Sequence, residues 1–261
     1  MTDAEAYERG FARLSAHTVA SLLEPIVTAA TGPRPGEGAA TGLGPHLLDV
    51  GCGSGVVTAR ALALGARVTA VDADPAMVEL TARRHPRARV RAAALPELPF
   101  ADGTFHAVAG NFVINHVPEP LAALRELRRV VRPGGTVALT WWKSDEMTAT
   151  GLIAEAITAA GVPYEPPPGP FAAVAAPETF SALMREAGFS GVGVRTLRWR
   201  HRADPGSWLT DVVAAGGPRF GLIADQPPMI AERIRAHYIR LAAPYVSEGF
   251  PVCARLAWGR R

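Results

Sequence analysis

Residues Leu47–Gly55 read LLDVGCGSG, an apolar pair and an acid followed by glycines at alternate positions, Gly51, Gly53 and Gly55. The run joins a short apolar segment, His46–Val50, which predicts a strand, to Val56–Leu64, which predicts a helix. Glycine tolerates positive φ and has no Cβ, so such a turn can place backbone N–H groups and a helix N-terminus against a bound group. A purely structural turn rarely needs so many glycines. A dinucleotide fingerprint would place them at the first, third and sixth positions, to seat a pyrophosphate on the helix. Here Val56 stands at the sixth position, which disfavours a nicotinamide-dependent oxidoreductase.

Outward from the turn, Arg67–Val71 is a short β-branched run, and Asp72 closes it about twenty positions after the turn, where an acid can accept ribose hydroxyls. Asp74 competes for that role, but it stands just before Pro75 and fits a helix N-cap. The alternation continues with a helix over Pro75–His85 and strands near Arg89–Ala93 and His106–Val113. A helix over Leu121–Val131, closed by Arg132-Pro133-Gly134-Gly135, leads into a strong strand, Thr136–Trp142. This predicts a doubly wound α/β domain, mostly parallel, with helices on both faces. Further on come helices over Met147–Ala160 and Pro177–Ala187, separated by a Pro-rich loop through Pro170. Strand signals return at Val192–Trp199 and Val252–Trp258, around a helical insertion at about 205–248. Before the α/β domain, residues 1–30 form an amphipathic helical lid, with Tyr7, Phe11 and Leu14 on its apolar face, and residues 31–45 a mobile Gly/Pro-rich linker. The domain itself spans 46–261.

The chain has 27 Lys plus Arg against 24 Asp plus Glu, and this small excess is only weak evidence for a polyanionic partner. The densest basic run, Arg83, Arg84, Arg87, Arg89 and Arg91, alternates with Ala and Pro and reads as a solvated face rather than a nucleic-acid patch. Cys52 and Cys253 are the only cysteines, and no cluster has metal-ligand spacing, so reduced thiols in a cytoplasm are expected, with no metal. The N-terminus lacks a secretory apolar core, and no segment is apolar enough to span a bilayer.

Four motifs occur in order: Asp49 to Gly55, Val71-Asp72, Leu98-Pro99-Phe100-Ala101-Asp102-Gly103-Thr104-Phe105, and Leu127 to Gly135. Together they resemble a class I methyltransferase, of the branch containing ubiquinone and menaquinone C-methyltransferases and natural-product tailoring enzymes. The resemblance covers roughly Tyr7 to Trp142. It implies a Rossmann-like, seven-stranded sheet with an antiparallel last strand, and S-adenosylmethionine as cofactor. Residue by residue, it implies that Asp49, Gly51, Cys52, Gly53 and Gly55 border the methionine part, that Asp72 binds ribose, and that Ala73 and Met77 flank the adenine. Ala94 stands where the family usually has an acid, leaving adenine recognition to backbone near Leu95, and Asn111 lines the cofactor toward the substrate. His106 replaces the usual aspartate after Phe105 and is assigned no function.

Methyl transfer from a sulfonium is an in-line displacement, so the protein must align the acceptor and exclude water. Where a base is needed, His116, just after the fourth strand at the sheet's carboxyl edge, is the candidate; a structural hydrogen-bonding role is the alternative. Tyr7 and Phe11 either close over the site or pack within their helix. Trp141 and Trp142 point to opposite sides of a strand, and we take Trp141 as the substrate-lining member. The expected partner is a small organic acceptor, a secondary-metabolite intermediate held between the carboxyl edge and the cap, with no nucleic acid and no membrane; a homodimer is left open. Quinone C-methylation and a cofactor-binding protein that transfers nothing are the alternatives.

Overall fold

The computed structural model describes residues 3–31, 44–165, 169, 171–216 and 220–261. The expected linker at 31–45 and the Pro-rich stretch before Phe171 fall largely outside them. Seven strands form one sheet in the order β3-β2-β1-β4-β5-β7-β6. They are β1 (His46–Val50), β2 (Arg67–Asp72), β3 (Arg89–Ala92), β4 (Phe105–Asn111), β5 (Val131–Trp142), β6 (Ser190–His201) and β7 (Phe250–Arg260). The first five pair in parallel, with Leu48 opposite Thr69 and Val108. Parallel strands covered on both faces read as continuous apolar runs, and every residue of β1 is buried. β7 runs the other way: Arg261 N–H donates to Gly135 O and Lys143 N–H to Cys253 O, joining opposite ends of β5 and β7.

Arg132–Gly135, read from sequence as a turn closing a helix, lies inside β5 instead. The ladder with β4 shifts register between Phe105 and Ala107, and Gly134 N–H is satisfied by Arg261 O, so the irregular stretch is held as strand.

The described residues pack as two units. One comprises Ser15–Trp141, Gly169–Thr196 and Arg255–Arg261. Its core holds Leu48, Val50, Val108, Leu124, Leu139 and Trp141 under α6 (Pro120–Val130) and α8 (Pro177–Glu186). Its motif Leu98–Gly103 is locked to α6: Arg129 donates to Leu98 O, Phe100 O and Asp102, and Leu98 N–H donates to Glu126. The other unit comprises residues up to Leu14, Trp142–Pro168 and Leu197–Ala254. Here α7 (Thr148–Ala159), α9 (Pro205–Ala215) and α10 (Pro228–Ala242) bury Ile153, Trp208, Ile234 and Tyr238. The N-terminal helices do not act as one piece. α1 (Ala4–Tyr7) and the π-turn Glu8–Ala12 pack on α9, whereas α3 (Val19–Thr31) packs on β4 and on α4 (Val56–Ala63). The small residues Ala6, Gly10 and Ala12 permit the first contact, and Leu22, Leu23 and Ile26 supply the second.

Candidate active site

The turn after β1 has Gly51, Gly53 and Gly55 at φ of 67°, 52° and 87°. At Gly51 a Cβ would lie 2.5 Å from Val113 Cγ2, so only glycine fits that positive φ and that approach. Asp72 organises the turn: its Oδ2 accepts from Gly53 N–H at 2.8 Å and its Oδ1 from Asp74 N–H at 3.0 Å. A carboxylate has about four acceptor sites, so this half-buried group keeps capacity for hydroxyl donors. Asp74 accepts from Ala76 N–H at 2.9 Å and caps α5 (Pro75–Arg84). From α5, Thr81 donates to Gly53 O at 2.6 Å, a positioning contact that sequence reasoning missed.

Asp49 has no exposed surface. Its Oδ2 accepts from Thr58 Oγ1 at 2.6 Å, while its Oδ1 is buried and meets no partner. Burial pushes its pKa up to about 7, opposed by the Thr58 hydrogen bonds and assisted by the nearby Asp72. Ser54 Oγ and Asn115 Oδ1 are also buried without partners. These orphaned acceptors beside a glycine turn point to a polar ligand, and a buried carboxylate oxygen without a partner suits a cationic one.

Asn111 ends β4. Its Oδ1 accepts from Thr18 Oγ1 and Thr140 Oγ1, both at 2.7 Å, and its Nδ2 donates to Ser15 O at 3.1 Å. The amide thus ties Ser15–Thr18 to the sheet and keeps one N–H. The next residue, Phe112, has φ 61°, a strained conformation for a side chain of that size. The short helical turn Ile114–His116 follows. His116 is exposed at its edge yet surrounded closely enough that desolvation lowers its pKa, against an opposing pull from Asp72. The ring is therefore within electrostatic reach of the turn.

Ala73 and Ala94 are exposed and Leu95 is half-buried, all at the ends of β2 and β3. Met77 is 5% exposed and Cys52 4%, so little of either side chain is open to a ligand. Gly55 faces His85, where a Cβ would lie 2.6 Å from the ring, so it serves packing within the turn. His106, left without a role, accepts from His46 N–H through Nδ1 at 3.2 Å.

Trp141 corrects the expectation that it lines the substrate. It is fully buried, donates Nε1–H to Ala175 O at 2.9 Å and packs on Phe171 and Phe180. Trp142 takes the opposite side and stands against Trp199. Tyr7 and Phe11 lie at a tilt with ring centroids 6.1 Å apart, and Phe11 meets Trp208 edge-on at 6.2 Å, so Phe11 packs against the core of the helical unit.

A family model described as a methyltransferase domain matches residues 48–139. An uncharacterized protein of Mycobacterium tuberculosis is 32% identical over 257 residues, covering 90% of this chain and 85% of its own. Demethylmenaquinone methyltransferase of Beutenbergia cavernae is 31% identical over 194 residues, covering 64% of this chain and 72% of its own. Among solved structures, a methyltransferase assigned to an antibiotic biosynthesis pathway in Anabaena variabilis shares the fold, with a TM-score of 0.63, 14% identity and coverage of 94% and 97%. The chain belongs to the class I S-adenosylmethionine-dependent methyltransferases. It is an enzyme that takes S-adenosylmethionine as its cofactor.

Proposed function

We propose that this enzyme methylates a small, largely apolar organic molecule, a secondary-metabolite intermediate, with His116 as the base where the acceptor must lose a proton. The reading is carried by one observation: an exposed histidine of lowered pKa stands within electrostatic reach of Asp72, on the edge of the sheet that also bears the glycine turn. When bound, the cofactor supplies an electrophilic methyl group on a sulfonium. The Gly51–Gly53 backbone and the unpartnered Asp49 Oδ1 would hold its methionine part, Asp72 its ribose, and Ala73, Ala94 and the backbone at Leu95 its adenine. Burial around the Asp49 carboxylate favours a cationic neighbour over water. A lowered pKa keeps His116 neutral at pH 7, ready to accept a proton at a ring nitrogen.

The test is incubation with methyl-labelled cofactor and an extract of the host, followed by mass spectrometry. A labelled small molecule supports the reading; label in protein or nucleic acid, or none at all, contradicts it. A second reading, methylation of a quinone ring carbon, is favoured by the likeness to demethylmenaquinone methyltransferase. It predicts a lipid-soluble labelled product.

A further inference from the structure

The helical unit contains a cavity of about 450 Å³ that the methyl-transfer residues do not use. Pro251, Val252 and Cys253, at the start of β7, give it an apolar lining. Arg198 and Arg200 line it from β6, two positions apart and so on one side of that strand, together with Glu146. β6 ends at His201 and β5 at Trp142, so these residues stand at the carboxyl ends of both strands, the edge where open α/β sheets bind ligands.

The two guanidiniums are held in place by groups of the protein. Arg198 Nη2 lies 2.9 Å from Glu146 Oε2, and Lys143 Nζ lies 2.9 Å from the other oxygen of that carboxylate. Arg200 Nη1 donates to Gly249 O at 3.1 Å, and its Nη2 lies 3.3 Å from Glu248. A guanidinium carries five N–H donors in a rigid fork, so these contacts orient each fork and leave donors unspent. The arginine side chains are 61% and 52% exposed, so a ligand can reach them. Each guanidinium has its own carboxylate, Glu146 or Glu248, and the cavity's volume falls in the range of pockets for ring-bearing small molecules.

We propose that this cavity binds an apolar, ring-bearing carboxylic acid, its carboxylate paired with Arg198 and Arg200 and its ring laid on Pro251–Cys253.

Calorimetric titration of the full chain with naphthoate and with the uncharged naphthamide tests it without turnover. Naphthoate should bind at least about tenfold more tightly, the scale of one charge-assisted contact. The double variant Arg198→Gln with Arg200→Gln should lose that preference, and Thr148→Trp, which fills the cavity from the start of α7, should lose both ligands. All variants should keep their thermal shift with S-adenosylhomocysteine, which certifies the fold and the cofactor site separately. Equal binding of the two probes, no binding of either at millimolar concentration, or a preference that survives in the double variant would overturn the proposal.

Discussion

Asp49 is an ionisable group with no exposed surface and one oxygen without a partner, and its cost is readable in the ligand-free protein. In the unfolded chain its carboxyl ionises near the ordinary 3.8, whereas the folded protein holds the proton up to about 7. A raised folded pKa gives stability that is fully present below pH ~4 and lost as pH rises to ~7. Thermal melts of the ligand-free protein between pH 5 and 8 should show this loss, and Asp49→Asn, which cannot ionise, should flatten that part of the profile. An unchanged slope would mean that Asp49 is ionised in the fold. At His116, replacement by Ala should leave cofactor affinity nearly intact and slow transfer by ~10²-fold or more if the ring removes a proton. The wild-type rate should fall at low pH with an inflection below the ordinary 6.5, since the pKa is lowered, and the variant should lack it. A variant that keeps the inflection rejects the base role.

At the level of elements, Asn111 joins three pieces of chain: β4, β5 through Thr140, and the segment leading into α3 through Ser15 and Thr18. Asn111→Ala removes all three bonds, and at about 1 kcal/mol each it should destabilise the protein by roughly 2–3 kcal/mol. Hydrogen exchange should rise first in Val19–Thr31; uniform change across the sheet would show that the amide does not anchor α3. This junction was hidden in the sequence, because hydrogen bonding between Thr18 and Asn111, 93 positions apart, leaves no local pattern. The parallel strands were legible, since apolar runs such as His46–Val50 and the turn glycines are local signals. Arg132–Gly135 misled for the opposite reason: its Pro-Gly-Gly composition signals a turn, but pairing with the end of the chain holds it in β5. Of the tryptophan pair, alternation predicted one residue per side, but only packing under α8 shows that Trp141 is the covered one.

Across the whole molecule, the cofactor turn and its acidic supports lie in the sheet unit, and the arginine-lined cavity lies in the helical one. Among the described residues no helix is long and apolar enough to cross a membrane, and no group of His, Cys, Asp and Glu is placed to hold a metal ion. The sheet unit carries the central claim, that Asp72 and the Gly51–Gly55 turn bind an adenosyl ligand while Asp74 is a helix cap. Thermal melting with S-adenosylhomocysteine, with NAD as comparator, tests it most directly, because a ligand that binds only the folded state raises the melting temperature. The account predicts a shift with S-adenosylhomocysteine and none with NAD. It further predicts that Asp72→Ala weakens that ligand by about ten- to a hundredfold and that Asp74→Ala lowers stability by ~1 kcal/mol without weakening it. A shift with NAD alone, or an affinity lost in Asp74→Ala and kept in Asp72→Ala, would contradict it.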